Sequence, residues 1–193
     1  RRVLECQERG VRVLSALTAH EEITQRTSLA TLNGHGEKTL ETAPGNKYAT
    51  RLKRVLDVVI TLAVMPLALP LMGLAALAVI LTDGFPAIYR QERVGKDHRP
   101  FSMLKIRTMV KDAEADTGPV WAKAGDPRIT RVGRILRATR LDELPQLFNV
   151  LRGDMSLVGP RPEMPQIVEE YEPWQRRRLD VKPGLTGLWQ ILG

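Results

Sequence analysis

The residues of this chain best suited to covalent chemistry are two adjacent carboxylates, Asp142 and Glu143, followed at once by Leu144 and Pro145. Proline is tolerated in the first turn of a helix, so the pair sits at or just before a helix N-terminus. Acidic residues there ordinarily cap the helix and complement its dipole. The functional reading is a carboxylate nucleophile with a carboxylate neighbour. A carboxylate can attack phosphorus and form an acyl phosphate. Two acids in a cationic pocket can also hold Mg²⁺ together with a diphosphate.

The cations that such chemistry requires are Lys105, Arg107, Arg134, Arg137, Arg140 and Arg161. Phosphoryl transfer needs the charge on the non-bridging oxygens neutralised and the reacting atoms aligned. Arginine grips phosphate with two prongs, and lysine supplies a point charge. Arg161 stands between Pro160 and Pro162, which leaves its backbone little freedom. Taken singly, each of these cations also reads as a solvated surface charge. Other machinery is missing from the sequence. It has no Walker glycine–lysine loop and no G-x-G-x-x-G. His20, His35 and His98 are scattered, and Cys6 is the one cysteine, so a His- or Cys-based metal cluster and an internal disulfide are excluded.

The elements that must position these groups follow from periodicity. Residues 101–109 alternate as a strand, with Leu104 and Ile106 on one face and Lys105 and Arg107 on the other. Residues 131–140 have Val132, Ile135 and Leu136 at helical spacing. Residues 141–151 form a second helix, with Leu144, Leu147, Phe148 and Leu151 on one side. Residues 158–165 hold three prolines and read as a rigid extended segment. Residues 173–189 combine tryptophan with arginine, as a membrane interface or a surface helix does.

Residues 58–81 are 24 in number and carry no charge. A straight helix of that length reaches about 36 Å, enough to cross a bilayer core. Pro66, Pro70 and Gly73 predict a kink or break at its middle. Arg51, Lys53 and Arg54 precede the run, and Arg90, Arg93 and Lys96 follow it. Positive charge marks the cytoplasmic side of a membrane segment. With both flanks positive, the economical reading is a segment that dips in, bends and returns. A kinked full span and a buried core helix are the alternatives.

The 193 residues carry a net charge of +7, which implies anionic partners. Nucleic acid is disfavoured, because three Phe and three Tyr offer little stacking surface and the apolar run argues against it. At 43% hydrophobic residues the chain can build a packed core. Val3–Glu8 reads as the close of a helix capped by Gly10, with a short strand after it. Residues 20–47 are polar and turn-rich, like a linker.

Six stretches together carry a resemblance. They are Arg90-Gln91-Glu92-Arg93-Val94-Gly95, Lys105-Ile106-Arg107-Thr108-Met109, residues 126–133, Leu141-Asp142-Glu143-Leu144-Pro145-Gln146-Leu147, residues 153–163 (GDMSLVGPRPE) and residues 182–190 (KPGLTGLWQ). In this order they resemble the bacterial sugar transferases, the monotopic phosphoglycosyl transferases that act on polyprenyl phosphate. The resemblance covers roughly residues 48–192. It departs from the family at Met65, where serine is frequent, and at residues 82–86. The family pattern also continues past Gln190.

The resemblance implies an α+β, mainly helical, membrane-associated catalytic domain with a re-entrant helix–break–helix anchor and a small β component. Residues 1–19 would end a preceding Rossmann-like α/β domain, 20–47 link, 48–89 anchor, and 90–193 form the catalytic domain. The implied reaction moves a hexose-1-phosphate from a UDP-sugar to undecaprenyl phosphate through a covalent aspartyl intermediate, beginning exopolysaccharide or O-antigen assembly. Asp142 would be the nucleophile, and Asp142 with Glu143 the Mg²⁺ site. Lys105, Arg107, Arg161 and Arg134 would bind phosphate. The implied location is the cytoplasmic face of the bacterial inner membrane, embedded in lipid through residues 58–81. The expectation admits a homo-oligomer. A non-catalytic membrane adaptor of a polysaccharide assembly system is the alternative.

Overall fold

The computed structural model describes residues 47–113 and 125–187. The chain divides into a unit of residues 1–47 and one of residues 48–193. The expected N-terminal helix, strand and linker lie outside the described residues.

The apolar run lies within one helix, α1 (Lys47–Asp83). Helical geometry continues through Pro66 and Pro70, so the expected interruption is not found. Both prolines are exposed, on the side away from the protein. Their missing donors therefore disturb only the outer hydrogen-bond row, and a helix opened there curves toward its packed side. That side is a stripe of Asp57, Thr61, Met65, Ala68, Met72, Ala75 and Val79, all buried. The spacing of three and four is that of one helical face. The opposite side exposes Leu62, Leu67, Leu74, Leu77 and Leu81 among others.

Two strands follow, β1 (Ile88–Val94) and β2 (Pro100–Ile106). They pair antiparallel with Tyr89 opposite Lys105 and Gln91 opposite Met103. Tyr89, Gln91, Arg93 and Lys105 thus share a face, as the alternation predicts for Lys105. Ile106 turns the other way into a core cluster with Ala75, Val79, Ala87 and Leu136. Helix α2 (Arg131–Ala138) starts at Thr130, whose hydroxyl accepts from the Gly133 amide at 2.9 Å. Gly133 is required by close approach, since a Cβ there would stand 2.0 Å from the Thr108 carbonyl oxygen.

A 3₁₀ turn at Leu141–Glu143 leads into α3 (Gln146–Arg152), which Gly153 closes at φ 97. Leu147, with Leu144 and Leu151, packs against Met65, Ala68 and Met72 of α1. Strand β3 (Ser156–Val158) pairs in parallel with β4 (Gly184–Thr186). Between them lie two short helices, α4 (Pro165–Glu169) and α5 (Pro173–Arg176), and a 3₁₀ turn at Arg177–Asp180. Trp174 is exposed.

Polar contacts hold both ends of α1 to this one domain. Near the start, buried Asp57 accepts from the Ser156 hydroxyl at 2.8 Å and the Leu157 amide at 3.2 Å, and Lys53 reaches both Asp57 and Ser156. Arg54 donates to the carbonyls of Val150 and Leu151 at the end of α3. At the far end, Arg107 donates to the carbonyls of Asp83 and Gly84.

Asn149 is fully buried and locks α3 to β2. Its Oδ1 accepts from the Leu104 amide at 3.1 Å, and its Nδ2 donates to the Ser102 carbonyl at 2.8 Å and to Asp154 at 3.2 Å. Asn149→Ala removes the side-chain partner of the part-buried Leu104 amide and Ser102 carbonyl, a net loss of about 0.5–1.5 kcal/mol per hydrogen bond. The expected outcome is a clear drop in melting temperature in detergent, whereas Phe148→Ala on the exposed side of α3 shifts it far less.

Candidate active site

Arg140 takes a left-handed backbone conformation (φ 59) between α2 and the 3₁₀ turn. That reversal folds the chain back so that Asp142 points inward and is 7% exposed. The Glu143 and Leu144 amides bond back to the carbonyls of Arg140 and Leu141, which fixes the turn. The Asp142 Oδ1 is buried and meets no hydrogen-bond donor. Burial pushes its carboxyl above the ordinary value. Lys105 opposes that rise, Glu143 adds to it, and Arg137 opposes it.

Glu143 is the partner of the cations instead. Lys105 Nζ donates to its Oε1 at 3.2 Å, and Arg140 Nη1 lies 3.8 Å from the same oxygen. Arg137 donates through Nε to the Thr108 hydroxyl at 2.8 Å. Arg107 is buried. Nη2 holds the end of α1, while Nε and Nη1 have no partner. The Arg161 carbonyl accepts from Arg178 Nη2 at 3.2 Å, and Arg178 also meets Glu163 at 3.5 Å and the Tyr171 hydroxyl at 2.9 Å. A ring of contacts therefore fixes the Pro-Arg-Pro segment.

Asp142, Glu143, Lys105, Arg107, Thr108, Arg137, Arg140 and Arg161 border one cavity of about 870 Å³. Among the described residues its wall holds seven cationic side chains against three carboxylates, so it suits a multiply charged anion. The apolar and polar positions on the β1 side are Tyr89, Gln91 and Met164. The volume lies in the range of a small-molecule site.

The structure brings together Asp142, Glu143, Lys105, Arg107 and Arg161 from the sequence expectation. Arg134 is not among them. It sits on the exposed side of α2, because the face of that helix buried by Gly133 and Leu136 directs Arg137 inward. Arg137 and Arg140 were visible as cations but not as site residues, since one turn of helix register decides between 134 and 137. Arg93 and Thr108 carry no local signal. They enter through the β1–β2 register and the packing of α2.

Asp142 and Glu143 are also the carboxylates that Mg²⁺ would need. An orphaned buried oxygen beside a second carboxylate fits a metal that completes its shell with substrate phosphates. No cluster of three or more metal-ligating side chains occurs among the described residues, so the protein alone would supply few ligands.

Residues 48–193 match the family model of the bacterial sugar transferases, and the chain belongs to that family. A UDP-glucose:undecaprenyl-phosphate glucose-1-phosphate transferase of Caulobacter vibrioides is 52% identical over 146 residues, 73% of this chain and 54% of its own length. An undecaprenyl-phosphate galactose phosphotransferase of Salmonella typhimurium is 44% identical over 156 residues, 74% of this chain and 33% of its own. A UDP-glucose:undecaprenyl-phosphate glucose-1-phosphate transferase of Escherichia coli (strain K12) is 42% identical over 172 residues, 86% and 36%. The chain thus spans about half or less of these relatives.

The raised Asp142 carboxyl has a consequence for stability. Ionisation is harder in the folded protein than in the unfolded chain. Wild-type stability therefore falls as pH rises from the unfolded value near 3.9 through the higher folded value, and stays lowered above it. Asp142→Asn removes that penalty. The variant is expected to melt higher than wild type at neutral pH, by about 2–4 °C for each kcal/mol recovered. The gain should vanish in acid below the ordinary carboxyl range. A variant that melts lower at neutral pH would show that the carboxylate holds the fold together.

Proposed function

We propose that this chain transfers a sugar-1-phosphate from a UDP-sugar to undecaprenyl phosphate, with Asp142 as covalent nucleophile. The observation that carries the reading is the unpaired, buried Asp142 oxygen inside a cationic cavity, on a domain built around an apolar helix. The relatives bear the names of such transferases, and the sugars in those names differ.

The reaction divides into two displacements. The Asp142 carboxylate attacks the phosphorus that bears the sugar. The bond from that phosphorus to the bridging oxygen breaks, and UMP leaves with the electron pair. An oxygen of the lipid phosphate then attacks the same phosphorus, and the Asp142 carboxylate leaves unchanged. The product is a lipid diphosphosugar. Each step moves one phosphoryl group between oxygens and needs no oxidant or reductant.

Lys105 and Arg137 set the field around Asp142 and around the non-bridging oxygens of the donor. Arg107 offers two unengaged donors to a diphosphate, and Arg161 lines the same cavity. Mg²⁺ held by Asp142 and Glu143 would supply charge neutralisation on the diphosphate. Glu143 keeps Lys105 in place through their 3.2 Å contact.

The anchor is read as entering and leaving one leaflet on the cytoplasmic face of the inner membrane, through a bend at Pro66 and Pro70 within unbroken helical geometry. Three facts support this. Both ends of α1 are tied to the same domain, its inner stripe is packed along its length, and its outer side is apolar. A helix passing straight through a bilayer would carry one end away from that domain.

Release of UMP from UDP-sugars by the purified chain tests the reading. Wild type is expected to release UMP and to become labelled from donor radioactive in its sugar-linked phosphate. Asp142→Asn should do neither. Undiminished turnover by Asp142→Asn would end the nucleophile proposal, and a wild type silent with every UDP-sugar would favour an adaptor. A second comparison separates neighbouring cations. Arg137→Ala should lower kcat/KM by about 10- to 100-fold, the size of a lost charge-assisted contact, and Arg134→Ala by less than about twofold.

A further inference from the structure

A second group of cations gathers away from the cavity, where α1 enters its apolar run. Arg54 stands four residues before Val58, the first of the 24 uncharged positions. Gly153 has no side chain, and the point where its Cβ would stand is 3.4 Å from Lys182 Nζ and 3.5 Å from Arg54 Nη2. Two cationic heads thus converge over one bare piece of backbone. Burial pushes the Lys182 amine below its ordinary value, and the charges of Arg54 and then Lys96 push it the same way.

Two carboxylates offset this charge in part: Asp57 and Asp154 favour the charged amine, but more weakly than the opposing effects. Asp57 is taken by the Ser156 hydroxyl, the Leu157 amide and Lys53. Asp154 accepts from Asn149. The guanidinium of Arg54 bonds to the carbonyls of Val150 and Leu151, which bear no formal charge. Lys182 makes no hydrogen bond or ion pair among the described residues. Two like charges held side by side on a part-buried corner favour an anion that joins them.

We propose that Arg54 and Lys182 form a binding site for the phosphate of an anionic lipid headgroup, separate from the Asp142 cavity. Neither borders that cavity. The lipid source follows from position. Arg54 is about one helical turn outside the apolar run, the level at which headgroup phosphates stand when the exposed leucines of α1 are in hydrocarbon. A fork from arginine and a point charge from lysine suit a phosphate that already carries a lipid ester. The inference rests on α1 being the membrane anchor and not on the chemistry at Asp142.

The test uses the whole chain in a neutral detergent, titrated with dihexanoyl phosphatidylglycerol, dihexanoyl phosphatidylcholine and inorganic phosphate. Binding is read by thermophoresis and stability by melting. Wild type is expected to prefer phosphatidylglycerol to phosphatidylcholine by about tenfold or more, and Lys182→Gln to abolish the preference. Without lipid, Lys182→Gln should melt no lower than wild type, because it removes a repulsion. A lysine that only braces the fold would give the opposite result. Equal affinity of wild type and Lys182→Gln for phosphatidylglycerol overturns the site. Inorganic phosphate bound as tightly as phosphatidylglycerol overturns the lipid assignment. A chain that stays dispersed with no detergent overturns the anchor reading instead, which is a separate failure.

Discussion

Asp142 is buried close to several cations, yet none of them bonds to its Oδ1. Each neighbour is tethered to something else. Lys105 is on Glu143, Arg137 on the Thr108 hydroxyl, and Arg107 on the last carbonyls of α1. The carboxylate therefore sits in a positive field without being quenched by an ion pair. A direct contact would lower its basicity and block its approach to phosphorus. A field alone helps to keep it ionised against the effect of burial and leaves one oxygen available. In the proposed reaction, the pairing of Lys105 with Glu143, rather than with Asp142, is thus the contact that leaves the nucleophile available.

That tethering depends in turn on how the elements are fixed to one another. Asn149 clips α3 to β2 beside Lys105, and the absent side chain of Gly133 lets α2 come down on the Thr108 carbonyl. Helix α1 is part of the same arrangement. Met65, Ala68 and Met72 pack with Leu147, and Ala75 and Val79 with Ile106 and Leu136. The apolar helix is therefore a wall of the domain's core as well as an apolar outer surface. Removing it would expose the inner faces of both α3 and β2, so the domain and its helix are one folding unit.

Much of this was legible in the sequence, because the informative residues act locally. The alternation around Lys105, the helical spacing after Arg131 and the proline behind Asp142-Glu143 each depend on a few neighbouring positions. The charge-free run was plain for the same reason. What escaped were facts set by tertiary contact. Arg134 and Arg137 are equally basic, and the choice between them rests on which side of α2 Gly133 and Leu136 bury. The bond from Arg107 to the end of α1 joins residues 24 apart in sequence, and Asp57 meets Ser156 across 99. Two prolines predicted an interrupted helix. Helical geometry survives them, and their exposure on the outer side of α1 means that the donors they remove lie away from the side that packs on the protein.

The double engagement of Arg107 ties the anchor to the chemistry. One nitrogen of its guanidinium holds Asp83 and Gly84, where α1 ends, and the other two, unpaired, belong to a side chain that borders the cavity. The height of the cavity relative to the end of the apolar helix is then set by a single rigid, planar group. In the proposed reaction a water-soluble donor and a lipid-borne acceptor must present their phosphates at one point. A cavity tied rigidly to the membrane helix meets that demand, because the lipid phosphate stands at a fixed depth and the nucleophile does too. A flexible tether would let the two heights drift and would lose the alignment on which displacement at phosphorus relies.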